Sequence, residues 1–511
     1  MKSELEKAVK KAIEAGFQIN LKAFKKLQNL PENLNPVVIV EKAIEKLRKK
    51  GEEKAFIDEN LLEDVIQELT PKQVFTSKVA IKTRAKEIES KISIILDPTK
   101  TLNVDCSIEG YVNYFRDRFK RLTQILKRRL DARDAKTTFE VLKAQKGEKI
   151  KVIGMISEKI ERQERIIMTL EDLHGSIKVL ATNRNETALK KAKILVLDQV
   201  VCVCGVKIGK DFILAEDFIF PDIPQHKPRK AEEPVYAVLI SDLHYGSRMF
   251  MCKEFKRFLL WLNGKVGNNI LKEISNQVKY LIIAGDLVDG VGVYPGQRRE
   301  LKIENISEQY AGISKLLAEI PEHIEVIIIP GNHDAVRRAL PQPAISGEYG
   351  KILTENRDLH LIGNPALIEL HGVKFLAFHG RSLDDFALTV PGLGFHNPDK
   401  AMILMLKYRH LAPIYGGKTP IAPERKDLLV IEEVPDILLT GHVHVMKTAR
   451  YRGVIMINSG AWQKQTEYQR KNGLTPTPGI VPVVNLQTLQ VLTLDFNVGE
   501  IQLASTSQSY I

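Results

Sequence analysis

Eight residues at five places in the chain have the types and spacing that hold divalent cations. Asp242 and His244 lie at the end of VYAVLISDLH, Asp286 ends KYLIIAGD, and Asn332 with His333 ends IEVIIIPGNH. His379 ends VKFLAFH, and His442 and His444 end DILLTGHVH. One such aspartate alone is usually a turn or cap residue, and one such histidine a core or surface residue. Here five of the twelve histidines follow apolar, β-like runs, each within three residues of a glycine, asparagine or aspartate. The chemistry that calls for such a set is attack on a phosphodiester. Two divalent ions about 3.5–4 Å apart offset the charge that builds on the entering and leaving oxygens and make hydroxide available near neutral pH. One carboxylate must bridge the ions, and imidazoles, carboxylates or amides complete the shells. Asp242 and His244, two apart, project from one strand face and can share an ion. His442 and His444 have the same spacing where the strand turns into a loop. Nitrogen and oxygen donors without sulfur suit manganese, iron or zinc rather than calcium.

The elements that must position these residues are apolar runs separated by helix-like segments at Cys252–Leu262, Ser307–Ile320 and Asp399–Tyr408. Strands buried on both faces with helical crossovers predict a layered α/β domain over 235–511, with the eight residues at one rim. Upstream, EKIKVIGMIS, RIIMTL and SIKVLAT are followed by a helical ETALKKAK, then by ILVLDQVVCVCGVKIG and DFILAEDFIF. That order predicts an all-β OB-fold barrel over 138–225, a fold that commonly binds single-stranded nucleic acid or a protein partner. The proline-rich, charged stretch 226–234 reads as a linker. Residues 91–137 read as a linker followed by a basic, aromatic helix, YVNYFRDRFKRLTQILKRRL. This helix carries Arg116, Arg118, Lys120, Arg121, Lys127, Arg128 and Arg129 against one aspartate, with Tyr111, Tyr114, Phe115 and Phe119 among them. Two readings stand for it: contact with a nucleic-acid backbone, or an amphipathic helix with packed aromatics and solvated arginines. Residues 1–90 read as a small α-helical module. Leu5, Val9, Ile13 and Phe17 recur at helical spacing, as do Val40, Ala43, Ile44 and Leu47, with Pro31 and Pro36 between the two sets.

Composition narrows the classes. The 511 residues are 44% hydrophobic and 27% charged, the balance of a globular protein of two to four domains. The formal net charge of +12 sits wholly in residues 1–230, with 46 basic against 34 acidic side chains; the remainder is neutral. The front of the chain therefore suits a polyanion. No apolar run approaches 18 residues and the first residues lack a signal-peptide core, which predicts a cytoplasmic protein with no membrane partner. Four cysteines without a CxxC pair argue against a disulfide scaffold or a thiolate zinc site, and Cys202 with Cys204 read as strand residues facing an apolar core.

The series SDLH, GD, GNHD, FHG and GHVH resembles the five signature motifs of the calcineurin-like metallophosphoesterases. The resemblance implies that Asp242, His244, Asp286 and His444 hold a first ion. It implies that Asp286, Asn332, His379 and His442 hold a second, and that His333 is the catalytic histidine. Protein phosphatases of that superfamily have arginine where this chain has Gly290. GDLVDGVGVYPGQ, HLAPIYGGKTPIAPE and LLTGHVH are instead similar to the small subunits of archaeal family D DNA polymerases, as is the order helical module, OB-fold, phosphoesterase domain. That family implies a 3′–5′ proofreading exonuclease acting on DNA with a 3′ end, single-stranded or mismatched. It implies a large polymerising subunit as partner, a sliding clamp as a further one, and two divalent ions: manganese, with magnesium, iron or zinc as alternatives. The competing readings are a DNA-repair nuclease, a mainly structural bridging subunit, and a phosphatase. Asp289 and Asp334 could orient ligand histidines or be plain loop carboxylates, and Arg381 could meet a phosphate or a surface carboxylate. His396 and His410 read as structural.

Overall fold

The computed structural model describes residues 2–28, 35–49, 56–58, 61–62, 65, 84–471, 473–503 and 509–510. The chain divides into two compact units, 1–82 and 83–511. In the first, helices Lys2–Glu14, Leu21–Gln28 and Pro36–Lys49 accompany a short parallel pair, Gln18–Ile19 with Phe56–Ile57. Val40, Ala43, Ile44 and Leu47 are buried together with Ala8, Ala12 and Phe17. Ile13 is 64% exposed, because the first helix turns Leu5, Ala8 and Ala12 inward and ends before Phe17. Pro31 and the stretch 66–83, both read as part of this module, lie outside the described residues.

The second unit rests on two sheets, each seven-stranded among the described residues. The first runs His360–Leu361, Glu325–Ile329, Val278–Ala284, Tyr236–Ile240, Ile480–Asn485, Val491–Asp495 and Gln502–Leu503. Its first four strands are parallel, as crossover helices require. The second runs Ser509–Tyr510, Lys447–Tyr451, Val454–Asn458, Ile437–Thr440, Val373–Ala377, Ala366–Leu370 and Ile92–Leu96. Alternation sets the layers. Ala237, Leu239, Tyr280 and Ile282 pack against Phe375, Ala377, Ile437 and Leu439 between the sheets, while Val238, Ile240, Leu281 and Ile283 face helices that supply Phe255, Phe258 and Tyr310. Residues 92–96, within the stretch read as linker, form an edge strand instead. The β-branched run ISIIL pairs antiparallel with Ala366–Leu370.

A closed barrel precedes the sheets, built from Lys149–Arg162, Arg165–Glu171, Ser176–Thr182, Phe212–Ile219 and Val200–Lys207 in that neighbour order. Ile166, Met168 and Leu170 alternate inward with Ile177, Val179 and Ala181 opposite, the period-2 pattern of a sheet wrapped around its own core. Cys202 is buried and Cys204 partly so. Helix Glu186–Ile194 follows the third strand. The barrel core is continuous with helix Pro398–Tyr408, where Tyr408 stacks on Phe220 at 5.8 Å.

Helix Ile108–Lys127 starts at Ser107, whose hydroxyl accepts from the Gly110 amide at 3.0 Å. Its buried stripe is Tyr114, Arg118, Leu122 and Leu126, four apart throughout. Arg118 is wholly buried and makes a 2.7 Å ion pair with Asp427. It also donates to the carbonyl of Pro413 at 2.6 Å and to the Tyr114 hydroxyl at 3.0 Å. His410 completes the group. Its Nδ1 accepts from the Ala412 amide at 3.1 Å, so Nε2 carries the proton given to Asp427 at 2.8 Å. Burial, then the neighbouring Arg118, pushes the His410 imidazole down to about 4. No described helix is long and apolar enough to cross a membrane.

This network can be tested in two ways. Arg118→Ala strands a buried carboxylate and should cost about 3–5 kcal/mol in chemical denaturation, whereas exposed Lys120→Ala should change stability by less than about 0.5 kcal/mol. His410 takes up its proton in the unfolded chain first, since its folded value lies below the usual 6.5. Its contribution is therefore complete above about pH 6.5 and is lost as pH falls towards 4, roughly 3 kcal/mol in all. His410→Gln should flatten that acid limb of the melting temperature, and an unchanged slope would refute the assignment.

Candidate metal centre

Five loops leave the carboxyl ends of Tyr236–Ile240, Val278–Ala284, Glu325–Ile329, Val373–Ala377 and Ile437–Thr440, and they meet where the two sheets end together. The turns are sharp. Asp242, His244, Asp286, His442 and His444 have φ of 53°, 49°, 53°, 71° and 59°, five of the twelve non-glycine residues with positive φ among those described. Each costs of order 1–3 kcal/mol and persists only where neighbours dictate it. Backbone ties supply that dictation. The Asp242 amide donates to the Gly285 carbonyl at 2.9 Å, His244 to Asp286 at 3.1 Å, and Gly441 to His379 at 2.8 Å. Gly441 is required by closeness, since a Cβ there would lie 2.6 Å from Asp242 Oδ2; one on Gly331 would collide with Asp286 Oδ1.

Three groups of ligand atoms converge, each within 4.8 Å: Asp242, His244 and His444; His244, Asp286 and His333; Asp286, His379 and His442. Asp286 joins the groups. Its Oδ2 lies 3.8 Å from His244 Nε2, 3.3 Å from His379 Nε2 and 4.0 Å from His333 Nε2. Asn332 Oδ1 stands 3.1 Å from His379 Nε2. His444 Nε2 is 3.0 Å from His244 Nε2 and 3.4 Å from Asp242 Oδ1. All seven candidate ligand positions read from the sequence, and His333, thus come together in one place.

The donor set fits cations. His379 Nδ1 faces the Ala284 carbonyl at 2.8 Å and must hold the ring proton. Its Nε2 lone pair then points at two oxygens, Asp286 Oδ2 and Asn332 Oδ1. Three electron-rich atoms so arranged need a positive charge among them, either a cation or a second proton on His379 Nε2. Burial opposes that charge on His379 itself, but Asp286 and Asp242 outweigh it and raise the imidazole to about 9. Asp242 Oδ1 is buried with no hydrogen-bond partner, while Oδ2 accepts from the His442 amide at 2.9 Å and from Ser241. An ion is the natural partner for the orphaned oxygen.

The residues that support the ligands are only partly visible in the sequence. Asp289 Oδ1 holds His244 Nδ1 at 3.0 Å, and Gln463 and Gln297 in turn hold Asp289 at 3.1 and 3.2 Å. Asp334 touches no histidine ring; it accepts from the amides of Gly331 and Leu287 at 2.8 and 3.1 Å and ties two loops together. Asp384 lies 3.2 Å from His442 Nε2, and Gln469 lies 2.9 Å from His444 Nδ1. Neither has a sequence signature, because helix Leu383–Thr389 and helix Glu467–Lys471 reach the site only through the fold. Arg381 is half-buried and donates to the Arg338 carbonyl at 3.3 Å.

The basic helix is a separate place and a mixed one. Arg118 is buried in its ion pair, and Arg121 bonds Glu432 at 2.8 Å and Asp117 at 3.0 Å, so neither is free to meet a phosphate. Arg129 pairs with Asp131 at 2.7 Å. Lys120, Lys127 and Arg128 are exposed, as is Arg116, 3.6 Å from Glu109. The packing reading of this helix holds for its inner face, where Phe115 and Tyr415 meet edge to face at 5.4 Å. His410 is structural, and exposed His396 lies 3.1 Å from the Gly473 carbonyl.

Asp289→Ala frees His244 Nδ1 and should weaken divalent-ion binding about 10–100-fold in a manganese titration. An unchanged affinity would show that Asp289 does not orient the ligand.

Residues 237–448 match the family of DNA polymerase alpha/epsilon B subunits. The DNA polymerase II small subunit of Pyrococcus furiosus is 44% identical over 76% of this chain, and that of Archaeoglobus fulgidus 42% identical over 77% of this chain and 78% of its own length. That of Methanothermobacter thermautotrophicus is 35% identical over 96% of this chain and 99% of its own. The match spans less than two thirds of the Pyrococcus furiosus and Pyrococcus horikoshii relatives, 64% and 63% of their lengths. At these identities and coverages the chain belongs to the family of archaeal DNA polymerase II small subunits.

Proposed function

We propose that the chain is a metal-dependent 3′–5′ proofreading exonuclease that hydrolyses DNA phosphodiesters alongside a large polymerising subunit. The observation that carries this reading is Asp286, one carboxylate shared by two groups of histidines. Asp242, His244, Asp286 and His444 would hold one divalent ion, and Asp286, Asn332, His379 and His442 a second. Manganese is preferred, with magnesium, iron or zinc as alternatives. Bound ions would supply Lewis-acid activation of the phosphate and of the attacking water. The chain's own residues do the remainder. Asp289, the Ala284 carbonyl and the Asp286 carboxylate fix ring orientations in advance, so little reorganisation is needed when charge develops. His333 Nδ1 is held by the Asp289 carbonyl at 2.7 Å, which leaves Nε2 facing the site. From there it can hold a proton for the departing oxygen. The five-stranded barrel has neighbour order first, second, third, fifth, fourth, which supports an OB-fold. The two facing sheets with five ligand-bearing loops support the metallophosphoesterase reading. Lys120, Lys127, Arg128 and Arg116 remain candidates for backbone contact with DNA. The polarity and the large subunit rest on family membership.

The test is a time course on 3′-labelled and 5′-labelled single-stranded DNA with manganese, with and without the large subunit. Stepwise shortening from the 3′ end is expected. No cleavage in either arm would favour a bridging role. His333→Ala should lower turnover about 10²–10⁴-fold with manganese content unchanged. Asp286→Ala should lose both turnover and bound metal, as read by elemental analysis of the dialysed protein.

A further inference from the structure

Arg381 stands two residues past His379, on the loop that carries that side chain into the cluster. The backbone on either side of it is pinned. The Gly441 amide donates to the His379 carbonyl at 2.8 Å, and the Ser382 hydroxyl donates to the Leu411 carbonyl at 2.5 Å. The cluster opens to solvent where Asn332, His333 and His442 are partly exposed, whereas Asp242, His244, Asp286, His379 and His444 are buried.

The Arg381 guanidinium uses one of its three nitrogens within the protein. Nη1 donates to the Arg338 carbonyl at 3.3 Å; Nε and Nη2 make no hydrogen bond among the described residues and are not sealed from solvent. Arg381 forms no ion pair there either. The acidic charges that act on it are Asp384, Asp286 and Asp385. Each is engaged elsewhere. Asp384 lies 3.2 Å from His442 Nε2, Asp286 lies 3.3 Å from His379 Nε2, and Asp385 accepts from the Lys418 amide at 2.7 Å. Arg338 acts on Arg381 as a like charge, and its own Nη2 donates to the Gly292 carbonyl at 3.1 Å. Two cations whose protein partners are carbonyls thus stand next to one another beside the ligand-bearing loops.

Nε and Nη2 form the guanidinium edge whose two N–H bonds run parallel, the fork that matches two oxygens of a carboxylate or phosphate. The molecule uses that edge at Arg129, where Nε and Nη2 take the two oxygens of Asp131 at 3.0 and 2.7 Å. Arg337, next to Arg338 in the chain, has Nη2 on Glu424 at 2.6 Å. At Arg381 the protein supplies no acceptor for the fork.

We propose that the Nε–Nη2 edge of Arg381 is a phosphate-binding site for the substrate strand, a clamp at the mouth of the cluster that takes two oxygens of one backbone phosphodiester. This rests on the phosphodiesterase reading of the same site. The Arg338 carbonyl holds Nη1 and so sets the direction of the fork, and the Arg338 side chain adds positive charge beside it. A contact to the backbone carries no base preference, and it weakens as salt rises.

The experiment uses the full chain in EDTA and a fluorescein-labelled single-stranded DNA oligonucleotide, read by anisotropy across a salt titration. Arg381→Gln should bind about tenfold more weakly, and its slope of log K against log salt should shrink by about 0.7, the share of one phosphate contact on a single strand. Arg381→Lys should keep most of the slope without recovering the affinity, since an ammonium lacks the fork. A neutral methylphosphonate is then placed at each of the two 3′-terminal linkages in turn. At one of them wild type should weaken about tenfold while Arg381→Gln is unmoved. Dialysed Arg381→Gln should retain the manganese content of wild type. Equal slopes and equal methylphosphonate sensitivity in wild type and Arg381→Gln, or loss of manganese with the substitution, would overturn the clamp. Cleavage with manganese is read separately. Wild type that shows the methylphosphonate effect without cleaving would leave the clamp standing and refute the nuclease reading; wild type that cleaves without that effect would do the reverse.

Discussion

Two carboxylates, Asp242 and Asp286, are buried to within 1% of complete exclusion from solvent, and five imidazoles crowd against them. Burial disfavours their charge, yet histidine neighbours hold both carboxylates below the ordinary range. Such a cluster is costly unless positive charge sits within it. Much else in the larger unit follows from the need to assemble it. The strands that carry its loops are parallel within each sheet's core, so their carboxyl ends fall on one rim. The two sheets pack face to face, so the rims coincide. The loops then bend through left-handed backbone at five ligand positions, strain that the cross-loop amide bonds offset.

The same logic of a buried charge recurs away from the site, with a different outcome. Arg118 and Asp427 are both wholly buried, but each finds its partners inside the protein, and His410 stays neutral beside them. That network is saturated. It locks the helix Ile108–Lys127 onto the segment 410–429 and needs no further ligand. The Asp and His cluster at the sheet rim is not saturated in the same way: Asp242 Oδ1 lacks a hydrogen bond, and His379 Nε2 faces two oxygens, Asp286 Oδ2 and Asn332 Oδ1. The contrast between a satisfied and an unsatisfied polar core is what separates a structural residue from a functional one here.

The candidate ligand set is legible in the sequence because each member sits at or just past the end of an apolar run, a local signal that needs no tertiary knowledge. The barrel is legible for the same reason, in its strand spacing and single helix. Arg118 is not. A basic residue at an inward helical position looks like its solvated neighbours until Asp427, more than three hundred residues on, is known to face it. Ile92–Leu96 escapes because an edge strand that pairs with a distant segment has no hairpin partner nearby. Asp384 and Gln469 are invisible for a related reason. They reach the site through helix and loop placement, and no fixed spacing links them to the histidines they serve.

Five strand ends that build one centre for two ions sharing Asp286 are the core of this account. Anomalous scattering from crystals equilibrated with manganese tests it most directly. Two peaks per chain are expected about 3.5–4 Å apart, with the Asp286 carboxylate between them and Asp242 Oδ1 on one. A single peak, or two that do not share Asp286, would contradict it.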